Sequence, residues 1–328
     1  MKRTIIKNKL LSAALAALLI LSALLLPSCA KKDNTVLRVA VLSGTTGWGA
    51  APLISSVNAG ESKLNAKIDI YSDATLVSPL MINGDADIAA VPTNLAAVLY
   101  NKTSGGIRVL AVNTLGVLYL IEDGNSVNSL ADLAGKTVYL PGQGSNPEFI
   151  LRALVEGADV ENVTFDYTYS SPDELATALA SGKAALGVLP EPKVTAVISK
   201  KDTLRVALDF TEEWKQQTTA PLVQGCIIVR TAFLEEHPAA VEQFLKEYKA
   251  SVELVNSDPD RAAEMIAEAG LAGAAAAAKA ALPRCNITYL TGDEMATALN
   301  GFWDALFKLD PKSVGGALPD ADITKAAK

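Results

Sequence analysis

The sequence predicts an α/β fold built from two successive βα series, and three observations carry that prediction. From Leu37 onward, short apolar runs alternate with stretches of helical spacing, as in parallel strands joined by crossover helices. A second run of helix, glycine and strand opens at residues 130–140. The 300 residues after Ser28 suffice for two bodies of ordinary size, each with a substantial core.

Taken in order, residues 37–42 form the first strand, and Gly44-Thr45-Thr46-Gly47-Trp48-Gly49 follows as a loop with three glycines. A helix begins near Ala51-Pro52, residues 67–71 give the next strand, and 76–83 the helix behind it. Residues 87–91 then repeat the arrangement: a short strand turns at Pro92-Thr93-Asn94 into a helix over 95–100 capped by Thr93 or Asn94. Residues 108–113 return as a strand.

The second series starts with Leu130-Ala131-Asp132-Leu133-Ala134-Gly135-Lys136-Thr137-Val138, and Pro141-Gly142-Gln143-Gly144 ends its strand. Ser145 and Glu148 stand in capping-box spacing with Pro147 in the first turn, which predicts a helix over 149–156. Residues 171–181 are a helix, 185–189 a strand, and Pro190-Glu191-Pro192 a stiff turn into another helix. Residues 220–230 form a return strand, and the remainder is mainly helical over 238–256, 259–269, 271–282 and 292–309. Alanine richness in that last region reflects helix propensity.

Composition narrows the function. After the first 28 residues the chain carries 25 basic and 36 acidic residues, a formal charge of −11, which argues against nucleic-acid binding. The single histidine, His237, sits in Glu235-Glu236-His237-Pro238, a helix start, and no Cys-His cluster is present to suggest a metal or a thiol catalyst. No cofactor or metal is expected. Cys226 and Cys285 either pair in an oxidising compartment or stay as buried free thiols.

At the N-terminus, Lys2, Arg3, Lys7 and Lys9 precede an uncharged apolar stretch over 10–26, the order of a secretory signal. Leu26-Pro27-Ser28-Cys29 resembles the lipobox of bacterial lipoproteins, in which the peptide is cut before a cysteine that carries diacylglycerol. The resemblance implies a signal peptide over 1–28, lipidation (diacylglycerol and palmitate) at Cys29 and a tether to residue 35, with a retained membrane-spanning helix as the alternative. Two or more acyl chains give stable anchoring on the outer face of the cell membrane.

Four segments together resemble the solute-binding proteins of ABC importers in the nitrate, sulfonate, taurine and thiamine-precursor group: Gly84-Asp85-Ala86-Asp87-Ile88-Ala89-Ala90-Val91-Pro92, the run from Leu130 to Val138, Leu186-Gly187-Val188-Leu189-Pro190-Glu191-Pro192, and His237-Pro238 through Asn256-Ser257-Asp258-Pro259. The resemblance implies a two-lobed periplasmic-binding-protein type II fold with helices on both faces of two parallel or mixed sheets. Lobe 1 is expected over 36–115 and 220–328, with the C-terminal helices packed on it, and lobe 2 over 116–219. Two hinge crossings are expected, over 111–120 and 220–230. It further implies a small organic ligand, permease and ATPase partners, and a monomer. Enzymes of menaquinone and thiamine-precursor metabolism share this fold, and a surface ligand sensor would share the cleft, so both stand as alternatives.

In open α/β sheets ligands lie beyond the carboxyl ends of the strands. The loops there contribute Thr45, Thr46, Trp48, Thr93, Asn94, Gln143, Ser145, Asn146 and Glu191, with Asn113, Thr114 and Gln224 at the crossings. Helix N-termini behind three of these loops favour an anionic group, whereas Glu191 favours a ligand amine or caps the next helix. Thr93, Ser145 and Asn146 serve as caps, ligand contacts or both. Trp48 either stacks on the ligand or packs inside a lobe.

Overall fold

A computed structural model describes residues 35–325; the expected signal segment and the Cys29 lipidation site lie outside the described residues. Eleven strands among the described residues form two mixed sheets. The first contains β1 (Leu37–Leu42), β2 (Ala66–Tyr71), β3 (Ile88–Pro92), β4 (Ile107–Leu115), β10 (Val223–Arg230) and β11 (Ile287–Leu290), in the order β11-β4-β10-β3-β1-β2. The second contains β5 (Leu118–Asp123), β6 (Thr137–Tyr139), β7 (Thr164–Asp166), β8 (Leu186–Pro190) and β9 (Leu204–Asp209), ordered β7-β6-β8-β5-β9.

Side-chain parity explains why the central strands read as continuous apolar runs. Successive residues of a strand face opposite sides of the sheet. Leu37, Val39 and Val41 of β1 enter one core with Ile88, Ala90, Ile227 and Val229, while Ala40 and Leu42 enter another with Ala89, Val91, Cys226 and Ile228. Helices cover both faces of such strands, so neither parity is left polar. In the second sheet Leu118 and Leu120 face the core shared with the first, and Tyr119 and Ile121 face a separate one.

β1 pairs in parallel with β2 and β3, and β6 with β7 and β8. Each sheet also takes one central antiparallel strand, β10 between β3 and β4 and β5 between β8 and β9. These are the strands by which the chain enters a sheet from the other one. The segment over 111–120 is therefore two strands, β4 and β5, separated by Gly116-Val117. The return runs through the helix Phe210–Gln217 into β10. The two crossings touch: a Cβ on Gly116 would lie 2.1 Å from Thr211 Oγ1 and 2.9 Å from Leu222 Cδ2. Only a glycine lets the segments approach this closely.

The strands β7 and β11 carry little local signal, while the six-residue β9 and the helix Phe210–Gln217, N-capped by Asp209, lie outside the elements expected from the sequence. β7 and β11 span three and four residues at sheet edges, and the helix buries only Phe210 and Trp214.

The first three C-terminal helical stretches contribute Phe244, Tyr248, Ile266 and Ala278 to the outer core of the first sheet. The helix Gly292–Leu309, expected to pack on the first lobe, packs there and also reaches the second body. It packs against Thr93–Lys102 and against Asn146–Gly157, Trp303 Nε1 donates to the Thr93 carbonyl at 2.9 Å, and the Phe302 ring lies 5.8 Å from Trp214. Its apolar stripe thus makes one core continuous across the two sheets.

At the opposite end of the first sheet from the strand-end loops, Asp87 is 1% exposed and ties the strand starts together. It accepts from the Arg38 amide at 3.0 Å, from Arg38 Nε and Nη2 at 3.0 and 2.6 Å, and from Arg230 Nη2 at 2.8 Å. Burial pushes its carboxyl up, but these donors outweigh burial and hold it below the usual aspartate range.

Candidate functional site

The loops after β1 and β3 meet the ends of β4 and β10 where the chain crosses between sheets. Asn113 is 1% exposed, and its Nδ2 donates to the Thr46 carbonyl at 2.8 Å and to the Tyr248 hydroxyl at 3.0 Å. Thr114 Oγ1 in turn donates to Asn113 Oδ1 at 3.2 Å. Gly225 opposes this group: a Cβ there would fall 2.1 Å from Thr46 Cγ2 and 2.6 Å from Asn113 Oδ1. Thr46, Asn113 and Thr114 are therefore brought together around one glycine. Gly225→Ala is expected to displace Thr46 and Asn113 and to cost about 1–3 kcal/mol by overpacking, read as a lowered urea midpoint.

On the second sheet, Glu191 follows β8, and its amide donates to the Val117 carbonyl in the outward crossing at 2.9 Å. The loops after β1, β3 and β8 thus converge on one pair of crossings. The loop after β6 is held by its own contacts. Gly142 and Gly144 take φ of +84° and +73°, Ser145 Oγ donates back to the Gly142 carbonyl at 2.7 Å, and Glu148 accepts from the Gly144 amide at 2.6 Å and from Arg152 at 2.8 Å. Gln143 lies exposed between the two glycines.

Several expected roles change in this geometry. The three-glycine segment contains a short helix, Thr45–Trp48, folded back on β1 so tightly that a Cβ on Gly47 would lie 1.9 Å from the Leu42 carbonyl oxygen. That turn sends Trp48 inward. It is fully buried, and its indole N–H donates to the Leu271 carbonyl at 3.2 Å. Of the two roles open to Trp48, packing is the one the structure shows, and its ring presents no free face for stacking. Thr45 is likewise buried.

Thr93 does not cap its helix: that N-cap is Pro92, and Thr93 Oγ1 donates to the Val223 carbonyl at 2.7 Å. Nor does the capping box at Ser145 form, because both side chains bond elsewhere. Asn94 and Asn146, at the starts of the two helices, are half-buried. Asn146 Oδ1 is buried without a protein hydrogen-bond partner.

Glu191, expected either to meet a ligand amine or to cap, lies one residue before the N-cap Pro192 and accepts from Thr195 N and Oγ1 of the first turn at 3.1 and 2.9 Å. It also pairs with Arg284, whose Nε lies 2.6 Å from Oε1. With its side chain unexposed and its charge matched, it offers nothing to a ligand amine. Arg284 was not legible as a partner 93 positions away. Its one local signal is isolation, as the only charged residue between Lys279 and Asp293. Tyr248, the Asn113 partner, sits in an ordinary amphipathic helix and gave no signal.

Cys226 and Cys285 are free and buried, and burial raises both thiols well above their usual range, which makes them unreactive. Among the described residues no group of His, Cys, Asp and Glu is placed to hold a metal ion.

Residues 61–262 match the family model described as NMT1/THI5 like. The chain is similar to the crystal structure of an ABC transporter from Parabacteroides distasonis, at 24% identity and TM-score 0.75 over 90% of this chain and 100% of that one. It is also similar to the periplasmic aliphatic sulphonate binding protein SsuA from Escherichia coli, at 16% identity and TM-score 0.68 over 89% and 94%. The alkanesulfonate-binding protein SsuA from Xanthomonas axonopodis pv. citri, bound to MOPS, aligns at 14% identity and TM-score 0.65 over 88% and 96%. At these identities the likeness concerns the fold, which is the two-lobed periplasmic-binding-protein type II architecture.

Proposed function

The chain belongs to the NMT1/THI5-like family, and from that membership we propose that it is the extracytoplasmic solute-binding component of an ABC importer. In this reading one small organic solute is held between the two sheets and passed unchanged to a permease served by an ATPase. The observation that carries it is the convergence of the strand-end loops after β1, β3 and β8 on the double crossing at Gly116 and Thr211. A ligand held there touches both bodies.

The chemistry favours a ligand that accepts hydrogen bonds. The helices Thr93–Lys102 and Asn146–Gly157, one from each body, begin without a side-chain cap, which leaves backbone N–H groups for a sulfonate, carboxylate or ring acceptor. Asn146 Oδ1 adds a place for one ligand N–H or O–H. With Glu191 spent on Arg284, a free cationic group on the ligand has no matching carboxylate among the expected site residues. Turnover is disfavoured because the hydroxyls of Thr93 and Ser145 donate to backbone carbonyls and face no general base. Lipid on Cys29 would keep the binder beside its permease.

A thermal-shift screen of the Cys29→Ser protein against sulfonates, taurine, carboxylates, pyrimidines and nitrate tests this reading. A ligand at ~100 times its Kd adds ~2.7 kcal/mol to stability and raises the midpoint. Absence of a shift with every class, or conversion of a hit seen by mass spectrometry, overturns it. For a hit, Asn146→Ala is expected to weaken binding roughly tenfold while leaving unfolding nearly unchanged, because the atom removed has no protein partner to lose. Titration calorimetry and urea unfolding separate the two effects.

A further inference from the structure

Arg284 ends a short 3₁₀ turn, Leu282–Arg284, whose neighbours belong to the first body: Ala281 and Cys285 are fully buried in the outer core of the first sheet. Its side chain leaves that body. Nε donates to Glu191 Oε1 at 2.6 Å and Nη2 to Thr195 Oγ1 at 2.6 Å, and both partners follow β8 of the second sheet. Thr195 Oγ1 also donates to Glu191, which closes a three-membered polar ring. The contact is made in both directions, since Tyr119 of β5 donates its hydroxyl to the Arg284 carbonyl at 3.1 Å. Beside it, Asn286 Nδ2 donates to the Gly116 carbonyl at 2.5 Å, at the crossing itself.

We propose that Arg284, with Glu191 and Thr195, is an interlobe latch that biases the two bodies toward the arrangement seen here and so sets how tightly the protein retains its solute. This rests on the two-lobed binding reading above. The Glu191 side chain is unexposed and that of Arg284 is 39% exposed, so the carboxylate depends on a cation supplied by the other body. When the bodies separate, water solvates both groups but the charge-assisted bonds are lost. The pair therefore stabilises one arrangement over the other, which is what shifts a two-state equilibrium. The apolar seam through Phe302 and Trp214 does not depend on the ring and keeps the bodies joined when it is broken.

The test uses the full chain without ligand, carrying Cys29→Ser and spin labels at Lys67→Cys on the first body and Lys183→Cys on the second, both at exposed positions. Buried Cys226 and Cys285 stay unlabelled. Pulsed dipolar distances are expected to lengthen in Arg284→Gln and in Glu191→Gln, with the ratio of long to short populations rising roughly tenfold. Arg284→Lys should lie between, and the double Gln variant should fall short of the sum of the singles because both remove one interaction. Thr195→Val, a milder change, should move the distribution the same way if either Gln variant unfolds. Distances that superimpose on the parent or shorten, or single effects that add in full, overturn the latch. Because no solute is present, failure of the solute screen leaves this result readable on its own.

Discussion

Trp48→Ala is expected to lower stability by about 3–5 kcal/mol and to unfold the protein cooperatively at lower urea. The indole is fully buried among residues of the first sheet's outer core, including Val41, Tyr248 and Leu271. Truncation removes its contacts and leaves a cavity that a close-packed interior fills only in part. It also leaves the Leu271 carbonyl without the indole N–H it accepts. Trp48→Phe separates the two terms: most of the ring volume remains, and the loss should fall to about 1–3 kcal/mol, the cost of an unsatisfied buried acceptor. A variant as stable as the parent would place Trp48 outside the core. The residue expected as a ligand platform thus becomes a test of packing.

Asp87→Asn is expected to cost about 3 kcal/mol at neutral pH, because it removes the charge that two arginines share while preserving shape. The cost is no larger because Arg38 is 41% and Arg230 25% exposed, so both recover some hydration. The same site sets a pH dependence. Asp87 is held below its usual value in the folded protein, so its contribution is fully present above the unfolded value of about 3.9. It is lost as pH falls through the lower folded value. Glu122 acts with the same sign: burial opposes its ionisation, yet bonds from Ser126 and Val127 and the charge of Arg205 hold it low. The parent should therefore lose stability below about pH 4, and Asp87→Asn should lose less over that range without becoming flat. Urea midpoints at pH 7 and pH 3 measure both effects. An equal acid-induced loss in parent and variant would remove Asp87 as a source.

The parts of the fold legible in the sequence are those where one chemical choice serves two neighbours at once. β1, β3 and β10 are apolar at both parities because helices cover both faces. The helix expected over 171–181 is capped by Ser171, whose short oxygen-bearing side chain meets an orphan N–H locally, whereas the helix expected over 76–83 starts earlier, at Ala74 behind Asp73. The site was legible only as a set of loops. Pro92-Thr93-Asn94 and Pro190-Glu191 lie at strand ends as expected, but the direction each side chain takes depends on partners distant in sequence. Thr93 answers to Val223, Asn113 to Tyr248, and Glu191 to Arg284.

What the sequence determined by itself is the alternation of strands and helices, the division into two series and the positions of the strand-end loops, because these follow from periodicity and turn chemistry within about ten residues. Only the tertiary structure decided that Trp48 turns inward, that Gly225 gathers Thr46 and Asn113, and that Arg284 neutralises Glu191 from the other body. The physical reason is range. Backbone preference acts between neighbours, whereas burial and charge pairing act between whatever surfaces the completed fold brings into contact.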